Sequence, residues 1–136
     1  MSEEEIRTNI CNFYEGLIRG DAERMLSSCS NNVTLEWASS AFRVTFRGED
    51  DLRKWAENIR QIFPKIMLEE VELIINGITA KHQFILHLSV PDGRRGILPA
   101  MAAYDLNEGK SQHIQITLSK GFLIFNEAQI NSLGIK

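Results

Sequence analysis

The first stretch of the chain has the pattern of an amphipathic helix, because its apolar residues recur three or four positions apart. Ser2 and Glu5 have the spacing of a capping box at the start of this helix. Gly20 suits the left-handed turn that ends a helix, and Asp21 is a good cap for a second, shorter helix. The members of the apolar stripe are Ile6, Ile10, Phe13, Tyr14 and Leu17.

A change from helical to alternating periodicity marks the next segment. Apolar and polar residues alternate over 33–37, which predicts a strand with one buried face. The alternation returns over 42–46 after a short polar turn. A third helix is predicted to begin at Gly48, with acids in its first turn where the helix dipole favours them. Pro64 ends this helix, because proline cannot continue a helical backbone.

The remainder of the chain has the composition of β-strands separated by turn sequences. Asn76-Gly77, Pro91-Asp92-Gly93 and residues 107–110 are the turn signals. The predicted strands are 67–75, 79–90, 97–106 and 111–125. Long strands joined by tight turns form an antiparallel meander. Helices first and strands later predict an α+β fold, with the helices covering one face of a curved sheet.

Length and charge limit the classes of function. A chain of 136 residues is expected to form one domain, spanning 1–136. The net charge is −3 and no basic cluster exceeds the pair Arg94-Arg95, so we expect neither nucleic acid nor a membrane as partner. The acidic N-terminus is unlike a signal peptide, and no apolar run approaches the roughly 20 residues that span a bilayer.

The two cysteines bear on the cellular compartment. Cys11 and Cys29 are both expected inside helices, as small packing residues rather than as a disulfide framework. Reduced thiols are typical of the cytoplasm, which is the predicted location. No cysteine or histidine pair has the spacing of metal ligands, so no metal site and no cofactor is predicted.

The order of four segments resembles the nuclear transport factor 2-like superfamily, which includes ketosteroid isomerases, scytalone dehydratases and SnoaL-like polyketide cyclases. The four segments are 14–21, 31–37, 46–48 and 107–110. The resemblance extends over residues 5–119. It implies a cone-shaped fold in which a strongly curved, mixed and mostly antiparallel sheet surrounds an apolar pocket. It also implies a homodimer formed through the outer face of the sheet.

The best-known chemistry of the superfamily is missing from the corresponding positions. Ketosteroid isomerases use a tyrosine, a carboxylate base and a protonated acid, and these align with Phe13, Trp37 and Ala100. None of the three can perform the corresponding role, so the resemblance does not extend to that isomerisation. The acid that many SnoaL-like cyclases carry after the last turn is also absent, because 110–125 contains no Asp or Glu.

The resemblance defines an expected pocket for an apolar or aromatic small molecule. Its expected lining is Phe13, Leu17, Trp37, Trp55, Ile59, Gln83, Ile85, His87, Ala100, Ile114 and Ile116. His87 and Tyr14 are the weak candidates for an acid–base residue in this pocket. Trp37 and Trp55 either stack on an aromatic ligand or pack in the core.

The inward or outward direction of the histidines stays open at this stage. His82 and His87 are separated by an odd number of positions, so a regular strand points them to opposite faces. Alignment with the superfamily turns His87 inwards. The hydrophobic alternation favours the opposite arrangement, in which His82 belongs to a buried set with Phe84 and Leu86.

Three functions are compatible with these patterns. The first is a small-molecule-binding domain with an apolar pocket. The second is an enzyme of the isomerase, dehydratase or cyclase kind that acts on a small hydrophobic substrate. The third is a dimeric structural or protein-interaction module, which the nearly continuous apolar run over 121–125 favours.

Overall fold

Helices and strands follow one another in the order that the sequence pattern predicts. In a computed structural model, the described residues are 2–39, 42–89 and 95–119. The helices are α1 (Glu3–Arg19), α2 (Ala22–Ser27) and α3 (Gly48–Ile62). The strands are β1 (Cys29–Ala38), β2 (Arg43–Arg47), β3 (Lys65–Asn76), β4 (Thr79–Ser89), β5 (Arg95–Asn107) and β6 (Lys110–Leu118).

The ends of α1 have the local chemistry that the sequence indicated. The Ser2 hydroxyl accepts a hydrogen bond from the Glu5 amide, and the Glu5 carboxylate accepts one from the Ser2 amide. Gly20 ends the helix in the left-handed region, with φ of 73°. Gly16 lets α2 approach closely, since a Cβ at this position would clash with the backbone nitrogen of Met25. The predicted capping at both ends of α1 is confirmed.

Six strands form one mixed sheet in the described part of the chain. Their order is β2-β1-β6-β5-β4-β3. The strands β3 to β6 form an antiparallel meander, β1 pairs antiparallel with β2, and β1 pairs parallel with β6. The predicted fold class is therefore confirmed: an α+β fold with a curved, mixed and mostly antiparallel sheet.

Two features of the sequence-based prediction differ in position. Cys29 was expected inside a helix, but Ser28 ends α2 and Cys29 is the buried first residue of β1. The strand predicted over 33–37 is therefore the second half of a longer one. The Pro91-Asp92-Gly93 turn and the apolar run over 121–125 lie outside the described residues.

The core lies between the inner face of the sheet and the helices. A buried polar group stabilises one end of it, where Asn9 of α1 donates to the carbonyl oxygens of Ser28 (3.1 Å) and Gly109 (2.9 Å). The Ser111 hydroxyl donates in turn to the Asn9 side chain at 3.0 Å. These bonds satisfy the buried amide, whose unpaired burial would be costly. They attach α1 to the turn between β5 and β6.

Candidate functional site

A small cavity lies between α1, α3 and the inner face of the sheet. Its volume is about 30 Å³, close to the space that one molecule occupies in liquid water. The wall consists of Phe13, Tyr14, Leu17, Ile18, Trp37, Trp55, Ile59, Phe63, Ile66, Leu68, Phe84, Leu86, Leu88, Leu98, Tyr104 and Ile116. All of these side chains are aliphatic or aromatic, so the cavity offers an apolar environment and little open space.

Trp55 of α3 lies at the centre of the aromatic side chains in this wall. Its ring stacks on Phe13 at 6.3 Å between centroids and meets Trp37 edge-on at 5.6 Å. Both geometries are favourable for aromatic pairs. The indole N–H of Trp55 is buried and has no acceptor among the described residues. The wall therefore contains one hydrogen-bond donor whose bonding capacity is unused.

The structure brings some of the expected pocket residues together and separates others. Those in the cavity wall are Phe13, Leu17, Trp37, Trp55, Ile59 and Ile116. Ala100 and Ile114 are buried on the inner face of the sheet but lie outside the wall. Tyr14, one of the two acid–base candidates, is in the wall.

Gln83, Ile85 and His87 were expected to face the pocket, and this orientation was wrong. On β4 the buried residues are those at even positions from 80 to 88, so the odd positions lie on the outer face. His87 is partly exposed there, with its Nε2 atom 2.9 Å from the Glu69 carboxylate. The hydrophobic alternation along β4 was the correct signal, whereas the alignment by resemblance gave the opposite parity.

His82 is the histidine on the inner face, and it is completely buried. Its Nε2 atom lies 3.2 Å from Oε1 of Glu70, within ion-pair range, although the alignment falls short of a hydrogen bond. Its Nδ1 atom has no partner in the described ranges. The imidazole stacks on the ring of Tyr14 with 5.4 Å between the ring centroids, and it packs at a tilt against Phe84 with 5.0 Å between the centroids. Both of these aromatic rings belong to the cavity wall.

Alternation along β3 turns an acidic residue towards the core beside His82, and a β-bulge follows directly after it. The register of β3 against β4 shifts between Glu70 and Glu72, which leaves Val71 as the extra residue. Glu70 lies opposite Phe84, and after the shift Leu73 lies opposite His82. Residues directly opposite on paired strands share a face. Glu70 is therefore the last inward residue before the bulge, diagonal to the imidazole, and its side chain remains 43% exposed.

Burial and charge set the protonation of this group. Burial lowers the pKa of His82, and the neighbouring Glu70 charge opposes that shift only in part. Burial is also the main reason why the pKa of Tyr14 is raised, with further contributions from a hydrogen bond to Cys11 and from the Glu70 and Glu15 charges. At neutral pH the site therefore holds a neutral imidazole and a protonated phenol. Such a pair can accept and donate hydrogen bonds without carrying charge into the core.

Sequence reasoning left the direction of His82 open and did not single out Glu70. His82 had a usable signal, because it alternates with Phe84 and Leu86 in the buried set. Glu70 continues the alternation of Ile66 and Leu68, but a charged residue does not show as part of an apolar pattern, and the bulge that follows reverses the parity of the rest of β3. Within the described ranges, no cluster of three or more His, Cys, Asp or Glu residues is placed to hold a metal ion. No helix of the described chain is long and apolar enough to cross a membrane.

Comparisons with known proteins show a likeness of structure rather than of sequence. No protein-family model matches the chain, and no curated protein matches it. An NTF2-like protein from Anabaena variabilis superposes with a TM-score of 0.78 at 13% identity, over 89% of this chain and 91% of that one. An LEH-like epoxide hydrolase of M. tuberculosis gives a TM-score of 0.76 at 10% identity, over 97% and 96%.

A third similar structure is that of TerC co-crystallised with polyporic acid. Its TM-score is 0.72 at 17% identity, with 97% of this chain and 99% of that chain covered. Identities this low establish the fold and leave substrate and activity undetermined. The predicted resemblance is confirmed at that level, and the chain has the nuclear transport factor 2-like fold.

Proposed function

We propose that this protein binds a small apolar or aromatic molecule in the cavity between α1, α3 and the sheet. The observation that carries the proposal is the composition of the wall, which is entirely aliphatic and aromatic and includes Trp37 and Trp55. The unpartnered N–H of Trp55 adds one polar contact, so we expect a ligand with a hydrogen-bond acceptor on an apolar frame. The ligand-bearing TerC structure supports small-molecule binding on this fold.

Binding requires the wall to move, because a volume of about 30 Å³ is too small for an aromatic ring. On the helical side of the wall Phe13 and Trp55 are buried, but other residues are only partly buried, and Leu17, Ile59 and Phe63 are examples. The sheet side of the wall is more deeply buried, as at Leu86, Leu88 and Leu98 in particular. We propose that a ligand enters between α1 and α3, where the partly buried side chains can change rotamer.

Tryptophan fluorescence provides a direct test, since Trp37 and Trp55 are the two tryptophans of the chain. Titration with 4-nitroanisole, an aromatic quencher with acceptor oxygens, should give saturable quenching in both Trp37→Phe and Trp55→Phe. Trp55→Phe should weaken 4-nitroanisole binding about threefold to tenfold, the effect of one lost hydrogen bond. Fluorobenzene, followed by fluorine NMR, lacks a strong acceptor and should bind both variants alike.

The control for this titration is His87→Gln, which changes the outer face and should leave both affinities unchanged. Absence of saturable binding of either probe to the wild-type protein would refute the proposal. Equal weakening of both probes by Trp55→Phe would refute the hydrogen bond from the indole. That result would not contradict the proposed binding of apolar molecules in the cavity.

The candidate acid–base residues of the enzyme hypothesis differ from those expected from the sequence. His87 cannot serve a substrate in the cavity, because it lies on the outer face. Tyr14 keeps its place in the wall. A reaction of the isomerase, dehydratase or cyclase kind would need a base near Tyr14, and the inner face supplies His82 for that position.

We further propose that the protein is a homodimer formed through the outer face of the sheet. Met67 and Met101 are 69% and 40% exposed there, and Ile97 is 38% exposed. Met67, His87 and Ile97 form one row across three strands. Exposed apolar side chains on neighbouring strands favour association with another surface.

Light scattering tests the dimer. It should give twice the chain mass for the wild type, and Met101→Lys should shift the population towards monomer. A monomeric wild-type protein would refute the dimer.

The proposed location is the cytoplasm. Cys11 and Cys29 are both free thiols, and unpaired cysteines are typical of reducing compartments. Fractionation of cells that express the full chain would test this location, and recovery outside the cytoplasmic fraction would contradict it.

A further inference from the structure

His82 is a polar residue whose hydrogen-bonding capacity is not satisfied in the core. It is completely buried on the inner face of the sheet, and its Nδ1 atom has no hydrogen-bond partner among the residues described. Leaving such an atom unpaired is costly, and a phenylalanine would fill the same space without that cost. Its aromatic neighbours Tyr14 and Phe84 are part of the cavity wall. The imidazole is therefore one ring away from the proposed ligand.

Glu70 determines which ring nitrogen is free. Its carboxylate lies 3.2 Å from Nε2 without the alignment of a hydrogen bond. The negative charge on that side of the ring favours the neutral tautomer with the proton on Nε2, which leaves a lone pair on Nδ1. The same carboxylate would stabilise an imidazolium if Nδ1 gained a proton. Regular alternation places this side chain on an otherwise apolar face of β3, between Leu68 and Leu73, and the bulge follows it directly. Bulges of this kind re-aim side chains beside functional sites.

We propose that His82 and Glu70 form a proton-accepting site at the Tyr14 end of the cavity, for an apolar ring that carries a weakly acidic hydroxyl group. A phenol or an enol fits this chemistry. The O–H bond of the ligand breaks and its proton forms an N–H bond at Nδ1, which leaves an oxyanion and an imidazolium. Glu70 carries the one negative charge of the site before the transfer. After it, the imidazolium and the oxyanion add one positive and one negative charge, so the net charge of the site is unchanged. The proposal rests on the proposed binding function and specifies the ligand of that same cavity.

Access to the imidazole requires movement of Tyr14, whose ring covers it. Tyr14 is only partly buried and belongs to α1, which borders the proposed entry of the ligand. Its hydroxyl stays protonated and can donate to the ligand oxyanion once the proton has left. The other titratable groups around the site are Cys11 and Glu15 on α1, which raise the pKa of Tyr14. On β5 the residue opposite His82 is the uncharged Ala102.

The test compares 4-nitrophenol with 4-nitroanisole, which differ by one methyl group in place of the acidic proton. Ionised 4-nitrophenol absorbs at longer wavelength than the protonated form, so absorbance reports the protonation of the bound probe. In the wild-type protein the bound phenol should ionise about tenfold more readily than in water, a shift of about one pKa unit. In His82→Phe the apolar cavity alone remains, and the bound phenol should ionise less readily than in water.

Glu70→Gln provides a second variant that does not disturb the core, since this side chain is partly exposed. It should reduce ionisation of the bound phenol, because the imidazolium loses its counter-charge. The matched controls are Glu69→Gln and His87→Gln, which alter the equivalent pair on the outer face and should change nothing. Binding of 4-nitroanisole, which has no proton to transfer, should be the same in the wild type, Glu69→Gln and His87→Gln.

The outcomes separate the two proposals. Equal ionisation of bound 4-nitrophenol in the wild type, His82→Phe and Glu70→Gln would overturn the proton-accepting site while the cavity still binds 4-nitroanisole. An effect of Glu69→Gln as large as that of Glu70→Gln would also overturn it. Failure of both probes to bind the wild type would overturn the proposed function. Ionisation that depends on His82 and Glu70 alone would support the site.

Discussion

The two faces of β3 and β4 carry the same pair of residue types in different environments. On the inner face His82 lies 3.2 Å from Glu70, and on the outer face His87 lies 2.9 Å from Glu69. The His82 side chain is 0% exposed and the His87 side chain is 41% exposed. The pairs are therefore matched in chemistry and nearly matched in distance. They differ in their contact with solvent. Water weakens the electrostatic interactions of the outer imidazole, whereas the inner imidazole is shielded from water.

The largest difference between the pairs is expected in stability. His82→Ala should lower the free energy of unfolding by about 2 to 4 kcal/mol, because it leaves a void among Tyr14 and Phe84. Made in the Met101→Lys background, which is expected to be monomeric, His87→Ala should change it by no more than about 0.5 kcal/mol, as is usual for a surface site. Urea denaturation of both variants measures the two values. Similar values for the two histidines would show that the inner face is not the tightly packed one.

A subsidiary expectation concerns His82→Phe, which keeps the ring and removes the unpaired Nδ1 atom. This variant should be as stable as the wild type or more stable by about 1 kcal/mol, because a buried polar atom without a partner is destabilising. A loss as large as that of His82→Ala would show that the imidazole contributes a contact beyond its ring.

The pH dependence of stability should separate the pairs next. The pKa of His82 is lowered in the folded protein, so below about pH 6.5 the unfolded chain binds more protons at this site. Stability contributed by the neutral imidazole is therefore present above about pH 6.5 and is lost as the pH falls below that value. The slope approaches about 1.4 kcal/mol per pH unit for one full proton. His82→Phe should flatten the curve, as measured by denaturation at several pH values.

The control for the pH curve is His87→Gln. It should leave the His82 contribution in place, so the difference between its curve and that of His82→Phe isolates the inner pair. A wild-type curve that coincides with that of His82→Phe would contradict the assignment of a lowered pKa to His82.

The smallest expected effect is on the titration of His82 itself. Glu70 raises the pKa of this imidazole against the stronger effect of burial. Glu70→Gln should therefore move the NMR titration of His82 to lower pH, and Glu69→Gln should leave it where it is. A shift of equal size in both variants would mean that the two faces are not electrostatically separate.

The same strands show how far the sequence alone predicts this protein. Caps and turns predicted α1 well, because Ser2, Glu5 and Gly20 act through local geometry. Alternation predicted the buried set on β4, including His82. The ends of β2 to β5 were predicted to within about two residues, whereas β1 begins four residues before the predicted strand, at Cys29. The last strand was predicted to reach 125 and ends at Leu118, and residues 120–125 lie outside the described part of the chain.

The candidate site was predicted less well because it depends on relations between distant segments. Trp37 and Trp55 were expected in the wall and lie there, since apolar aromatics have few other places in a small core. His87 was misplaced because an alignment offset by one residue reverses a strand face. Glu70 was not found, since a charged residue does not show as part of an apolar alternation, and the bulge at Val71 reverses the parity of the residues that follow it on β3.

The bonds of Asn9 have a consequence for the order in which the chain becomes ordered. The Asn9 side chain binds Gly109 and Ser111, which are 100 and 102 positions away in the sequence. During synthesis α1 therefore precedes by about 100 residues the groups that bind its Asn9 side chain. The parallel pairing of β1 with β6 also joins distant segments, as at Thr34 and His113. Native topology of this kind slows folding, and the buried amide of Asn9 gains its partners at Gly109 and Ser111 only after β5 has been made.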